Sequence, residues 1–147
     1  MSQPKNTIVN LIPSLRYADA AKAIDWLCDA FGFERHLVVP GENGAIAHAQ
    51  LTFGDGMLML GSGGEHGRPF DRFVQPPKDR DDVRPGSLYL IVEDADVHCA
   101  RARTTGAEII DEPRDEDHGG RAYTCRDLEG NVWTFGTYDP YAETDAS

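Results

Sequence analysis

Basic side chains are scarce in this chain: 14 Lys and Arg stand against 25 Asp and Glu over 147 residues, a formal net charge of −11. A surface of that sign repels a phosphate backbone or an anionic bilayer within a Debye length, about 10 Å at 0.1 M salt, so nucleic acid and membrane are excluded as expected partners. Cysteine is sparse too. Cys28, Cys99 and Cys125 are odd in number and have no CxxC spacing, which suits free thiols in a reducing compartment better than a disulfide framework. No apolar run approaches the roughly 18 residues needed to cross a bilayer, and the first twenty residues hold no apolar signal core. A cytoplasmic location is therefore expected. Length and a 40% hydrophobic content fit one ordinary globular domain.

What the chain does contain is an internal echo. Leu15-Arg16-Tyr17-Ala18-Asp19-Ala20 aligns with Leu90-Ile91-Val92-Glu93-Asp94-Ala95, Gly44 with Gly119, and Leu60-Gly61 with Phe135-Gly136, each pair 75 residues apart. Two copies of one small unit are implied. A unit of about fifty residues buries too little core alone, so the copies are expected to pack together and enclose a cleft.

Within the first copy, Ile8 to Tyr17 is extended, with Pro13 marking an edge or bulge. Asp19 offers a helix N-cap, apolar residues from Ala20 to Phe31 recur at helical spacing, and Gly32 stops the helix. Strands are predicted over Glu34 to Val39, Ala45 to Phe53 and Met57 to Leu60, with Gly54-Asp55-Gly56 as a tight hairpin. The second copy repeats this order: Ser87 to Val92 extended, Asp94 as N-cap, a weakly amphipathic helix to about Thr105, Gly106 as stop. Strands follow over Glu108 to Ile110, Arg121 to Arg126 and Val132 to Thr137. Module one thus spans about 7–62 and module two about 86–138. The Gly-, Pro- and charge-rich segment 63–85 reads as an exposed linker with one turn near Phe70 to Val74, and 139–147 as a tail.

Paired β-α-β-β-β units carrying YADAAKAIDWLCDAFGFE, IAHAQLTFGDGMLML and GGRAYTCRDLEGNVWTFGTY resemble the vicinal oxygen chelate superfamily of glyoxalase I, bleomycin-resistance proteins and extradiol dioxygenases. The likeness covers about residues 7 to 138 and is nearest to small bacterial glyoxalase/bleomycin-resistance-like or PhnB-like members. It implies an α+β fold in which two pseudo-twofold modules form a curved mixed sheet around a cleft. It also implies a homodimer, and leaves open whether modules pair within a chain or by exchange between chains. The scaffold hosts isomerases, dioxygenases, lyases and drug binders, so it does not select an activity.

Family members with a metal draw ligands from the first and last strand of each unit. By the resemblance those positions fall at Ile12, Met59, Ser87 and Thr134, and none is a ligand of the imidazole or carboxylate kind. No cofactor is therefore expected, and a divalent metal is disfavoured. Strand parity extends the reasoning, since alternate residues face opposite sides of a sheet. With Leu58, Leu60, Trp133 and Phe135 assigned to the core face, the expected cavity lining is Arg16, His48, Gln50, Met57, Met59, Ser87, Tyr89, Arg121, Tyr123, Cys125 and Thr134. That mixture of apolar surface and a few polar tips is the makeup of a small-molecule pocket.

His48 is the best single candidate for chemistry, as base or hydrogen-bond donor; the competing role is a buried His satisfied by backbone or by Tyr123. Arg121 could clamp a carboxylate or phosphonate, or instead pair with Glu116 or Asp117. Cys125 could be a nucleophile if a cation lowered its pKa, against the commoner inert buried thiol. The expected function is small-molecule binding, of the drug-sequestering or resistance type, with an acidic surface suited to a cationic drug. The alternative is an enzyme of the same superfamily, with displaced metal ligands or with His48, Arg121, Tyr123 and Cys125 as a metal-free set.

Overall fold

The structure, a computed structural model, describes residues 11–142. The expected strand start at Ile8 and the end of the tail lie outside the described residues. The first module runs β1 (Ser14–Tyr17), α1 (Ala20–Phe31), β2 (Glu34–Pro40), β3 (Ile46–Phe53) and β4 (Gly56–Ser62). The second runs β5 (Leu88–Ile91), α2 (Ala95–Thr104), β6 (Glu108–Asp115), β7 (Arg121–Arg126) and β8 (Val132–Gly136). The strands form two four-stranded sheets, ordered β1-β4-β3-β2 and β5-β8-β7-β6. In each, the first strand pairs in parallel with the last and the other pairings are antiparallel. Two βαβββ modules with mixed sheets are thus present, as expected, and neither sheet closes into a barrel.

The helix signals act as they read. Asp19 accepts the Lys22 N–H at 3.1 Å, and Asp94 accepts the Val97 N–H at 3.0 Å, each satisfying a donor that the first helical turn leaves without a backbone partner. Helix α1 buries Ala20, Ala23, Ile24, Leu27, Ala30 and Phe31. It stops at Gly32, whose φ of 91° is a left-handed conformation open to glycine. Helix α2 buries only Ala95, Cys99 and Ala102.

The described residues divide into two compact units, 11–24 with 33–76, and 25–32 with 77–142. The boundary cuts α1, so the end of that helix belongs with the second unit and not with the module that precedes it. In the first unit, Ala49, Leu51, Leu58 and Leu60 lie on one sheet face and are buried. Each buried Leu contributes about 1.5–3 kcal/mol. His48, Gln50, Met57 and Met59 alternate onto the other face.

In the second unit, Tyr123, Cys125, Trp133 and Phe135 form one buried face. Phe31 lies on it, its ring 4.7 Å from that of Phe135 and 5.3 Å from that of Trp133. Arg101 donates to the carbonyls of Asp29 (2.9 Å) and Cys28 (3.1 Å), satisfying acceptors at the end of α1.

Register corrects one sequence expectation. Strands β1 and β4 map onto β5 and β8 at an offset of 75, since Ser14–Met59 corresponds to Tyr89–Thr134. Strands β2 and β3 map onto β6 and β7 at 74, since Arg35–Leu51 corresponds to Ile109–Cys125. Helix α2 is two residues shorter than α1 and the connection after it one residue longer, a net loss of one that is already complete where Gly106 answers Gly32. The β7–β8 hairpin is one residue longer: Asp127 N–H donates to the Asn131 carbonyl at 2.9 Å, where a constant offset would pair residues 128 and 131. A one-residue slip moves every side chain of a strand to the opposite face. Tyr123 and Cys125 therefore lie with Trp133 and Phe135 in the core, and Thr124 takes the open face beside Thr134.

Strand β6 also exceeds its expected span, continuing through Pro113 to Asp115. As an edge strand with two register shifts it needs no ladder donor from that proline. The 63–85 segment is exposed or half-buried except at Asp71, and it makes a turn at Pro69–Arg72, near the expected Phe70 to Val74. Residues 63–76 fold into the first unit around buried Asp71, and 77–85 belong to the second, where Arg80 and Arg84 donate to the carbonyls of Asp127 and Glu129.

Candidate functional site

The open face of the first sheet is the floor of a cavity of about 400 Å³. Strand β1 supplies Ser14 and Arg16, β3 supplies Ala47 and His48, and β4 supplies Gly61 and Ser62. The segment after β4 contributes the wall with His66, Arg68 and Phe70. Gly61 registers with Arg16 and has no side chain to fill the floor. A Cβ placed there would come 3.2 Å from the Ala47 carbonyl oxygen.

Asp71 fixes that wall. It is 2% exposed, and its carboxylate accepts from Arg16 Nη2 at 2.7 Å and from the backbone N–H groups of His66 (2.7 Å) and Arg68 (3.1 Å). These donors favour the ionised form, with the His66 amide foremost and the Arg16 guanidinium next, and hold the carboxyl at a pKa of about 2. Gln75 braces the same turn, donating to the carbonyls of Asp71 (2.8 Å) and Gly64 (2.9 Å). Arg16 is therefore neutralised from behind, and its guanidinium carbon stands 5.0 Å over the Phe70 ring.

Of the remaining polar groups, His48 and Arg68 keep N–H donors, whereas His66 keeps an acceptor. His66 Nε2–H donates to the Ser62 carbonyl at 3.0 Å, leaving Nδ1 free of that bond. His48 Nε2 lies 3.1 Å from the Gln50 amide nitrogen, an approach in which the amide donates and the ring proton sits on Nδ1. Arg68 makes no ion pair among the described residues, and the lining contains no Asp or Glu.

The sequence-selected residues divide sharply. Arg16 and His48 line the cavity; Gln50 stands behind His48, and Met57 and Met59 share the open sheet face without lining it. In the second unit, Ser87 precedes β5 and is exposed, the Tyr89 hydroxyl donates to the Tyr138 carbonyl at 2.6 Å, and the Thr134 hydroxyl bonds that of Thr124 at 2.8 Å.

Arg121 forms a two-pronged ion pair with Asp96 on α2, at 2.8 and 3.1 Å, rather than with Glu116 or Asp117. Tyr123 donates to His98 and not to His48: its hydroxyl is 2.6 Å from His98 Nδ1. Burial pushes the Cys125 thiol up to about 12, which removes it as a nucleophile near neutral pH.

The metal positions that the resemblance implied fare no better as donors. Ile12 and Met59 are apolar, Ser87 and Thr134 offer hydroxyls, and the Thr134 hydroxyl is engaged by Thr124. Among the described residues no three His, Cys, Asp or Glu side chains converge to hold an ion. The residues present do not fit the family's metal centre.

Three groups of this site were missed in the sequence: His66, Arg68 and Asp71, all in the presumed linker. The available signal was Asp71 three residues after Arg68 with Pro69 between, the spacing at which a carboxylate returns to the backbone N–H that opens a helical turn.

Comparison with known proteins gives the lineage. An uncharacterized protein of Mycobacterium bovis, Mb0911c, is 30% identical over 132 residues, covering 86% of this chain and 81% of that one. Among solved structures, TioX from Micromonospora sp. ML1 is 32% identical with a TM-score of 0.67, over 92% of this chain and all of that one. TnmS3, an antibiotic binding protein from Streptomyces sp. CB03234, is 25% identical with a TM-score of 0.63, over 89% and 98% of the two chains. The profile of one family matches residues 8–135. The chain belongs to the Glyoxalase/Bleomycin resistance protein/Dioxygenase superfamily.

Proposed function

We propose that this protein binds a small organic molecule in the cavity of its first unit and acts by sequestering it, without a metal. The observation that carries this reading is the cavity itself. Its volume of about 400 Å³ lies within the range of about 300–1,000 Å³ usual for ligand pockets, and a rigid sheet floor with a few placed polar tips matches their makeup. The similarity to an antibiotic binding protein supports an antibiotic-like ligand. The metal-free enzyme reading has less support, because Cys125 and Tyr123 are core residues and Arg121 is held by Asp96. Three free cysteines support a cytoplasmic setting, and a homodimer accords with the family resemblance.

The test is a thermal-shift screen of the full chain against aromatic antibiotics, with metal content measured on the same sample. Selective binding to the native state raises Tm by mass action. The reading expects a concentration-dependent rise with at least one such compound and no stoichiometric metal. About one tightly held Ni, Zn, Fe or Mn per chain would overturn the metal-free reading. The absence of any shift across the screen would overturn sequestration.

A further inference from the structure

The charge of the cavity is opposite to that of the protein. Over the whole chain acids outnumber Lys and Arg by 25 to 14, yet the lining holds Arg16, Arg68, His48 and His66 and no carboxylate. Of these, Arg16 is already balanced by Asp71 at 2.7 Å. Arg68 is not balanced: it is an exposed guanidinium with no ion pair among the described residues, at the mouth of a site whose other polar tips are imidazoles and serine hydroxyls.

We propose that the cavity selects ligands by an anionic group, a carboxylate on a ring-sized apolar body, received by Arg68 with the His48 Nδ1–H as a neighbouring donor and Phe70 against the body. This rests on the cavity being a ligand site at all, and adds to it the chemical class of the ligand. The physical ground is short-range. Charge-assisted hydrogen bonds from a guanidinium are about twice as strong as neutral ones, and the planar fork matches a carboxylate. The acidic exterior is screened beyond a Debye length of about 8–10 Å, so it does not decide what the cavity holds. Asp71 keeps the wall in place without presenting its charge to the ligand, because both its oxygens are occupied by Arg16, His66 and Arg68 donors. The cationic-drug reading, drawn from net charge alone, predicts the opposite preference.

Three probes of one shape separate the readings: 2-naphthoate, 2-naphthamide and 2-naphthylmethylamine, titrated calorimetrically into the full chain at pH 7 and low salt. The carboxylate is expected to bind at least about tenfold tighter than the amide, with the ammonium weakest. In Arg68→Gln the carboxylate-to-amide ratio is expected to fall to within about threefold of one, with circular dichroism and Tm confirming that this exposed substitution leaves the fold intact. Equal binding of all three, preference for the ammonium, or an unchanged ratio in Arg68→Gln would overturn the charge selection while leaving the ligand site standing. No binding of any probe would overturn both.

Discussion

The Asp71 carboxylate stands 2.7 Å from the Arg16 guanidinium, with side chains 1% and 12% exposed, so one buried ion pair joins the first strand to the segment that walls the cavity. Removing one partner of such a pair leaves the other charged and short of acceptors. Asp71→Asn should lower Tm at pH 7 and loosen residues 64–71, read as faster amide hydrogen exchange there. The acid limb provides the sign. A carboxyl at about 2 when folded and near 3.8 when unfolded contributes stability that is present above 3.8 and lost as pH falls toward 2. In Asp71→Asn that part of the acid-unfolding profile should flatten.

His98 gives a second pH dependence in another window. In the neutral ring its Nδ1 accepts from the Tyr123 hydroxyl at 2.6 Å and its Nε2–H donates to the Phe31 carbonyl at 2.8 Å, so both ring nitrogens are satisfied without a charge. Burial, foremost, holds its pKa below the ordinary 6.5. Below about 6.5 the unfolded chain therefore binds the proton that the folded one refuses, and stability rises with pH through that interval, then levels off. Urea midpoints at pH 5.5 and 7.5 should show the difference, and His98→Gln should reduce it. Tyr123→Phe, which strips the ring of its donor, should cost about 1–2 kcal/mol in the same assay.

Asp127 holds the hairpin that sets the β7 register. It is fully buried and accepts from the N–H groups of Glu129 (2.9 Å) and Asn131 (3.0 Å) and from Trp133 Nε1 (3.0 Å). Asp127→Ala leaves several buried donors without an acceptor and should destabilise by about 3 kcal/mol in equilibrium denaturation. A loss under about 1 kcal/mol would contradict the role given to this loop.

Filling the cavity floor tests the site without touching its charges. Gly61→Val introduces branches where even a Cβ is 3.2 Å from the Ala47 carbonyl. Ligand-induced Tm shifts should disappear, with a stability cost of about 1–3 kcal/mol from overpacking. Retained affinity would place the ligand elsewhere.

Much of the fold was legible because helix starts and stops are local chemistry: Asp19, Asp94, Gly32 and Gly106 sit where a cap or a left-handed residue is required. Face assignment failed in β7 because it was carried by a constant offset. One residue lost before β6 and one gained in the Asp127–Asn131 loop leave the strand ends in step but invert Tyr123 and Cys125. Nothing in local propensity reports such a slip, since it is fixed by cross-strand pairing. The cavity wall was unreadable for a related reason. A Gly- and Pro-rich stretch reads as a linker unless its buried carboxylate is known to meet Arg16, a contact 55 residues away.

The most direct test of the account is an amide chemical-shift titration of the 15N-labelled full chain with 2-naphthoate. Shifts concentrated at residues 14–16, 47–48, 60–62 and 66–70 are the predicted result. Shifts centred on Tyr89, Thr124 and Thr134 in the second unit, or none at saturating probe, would contradict it.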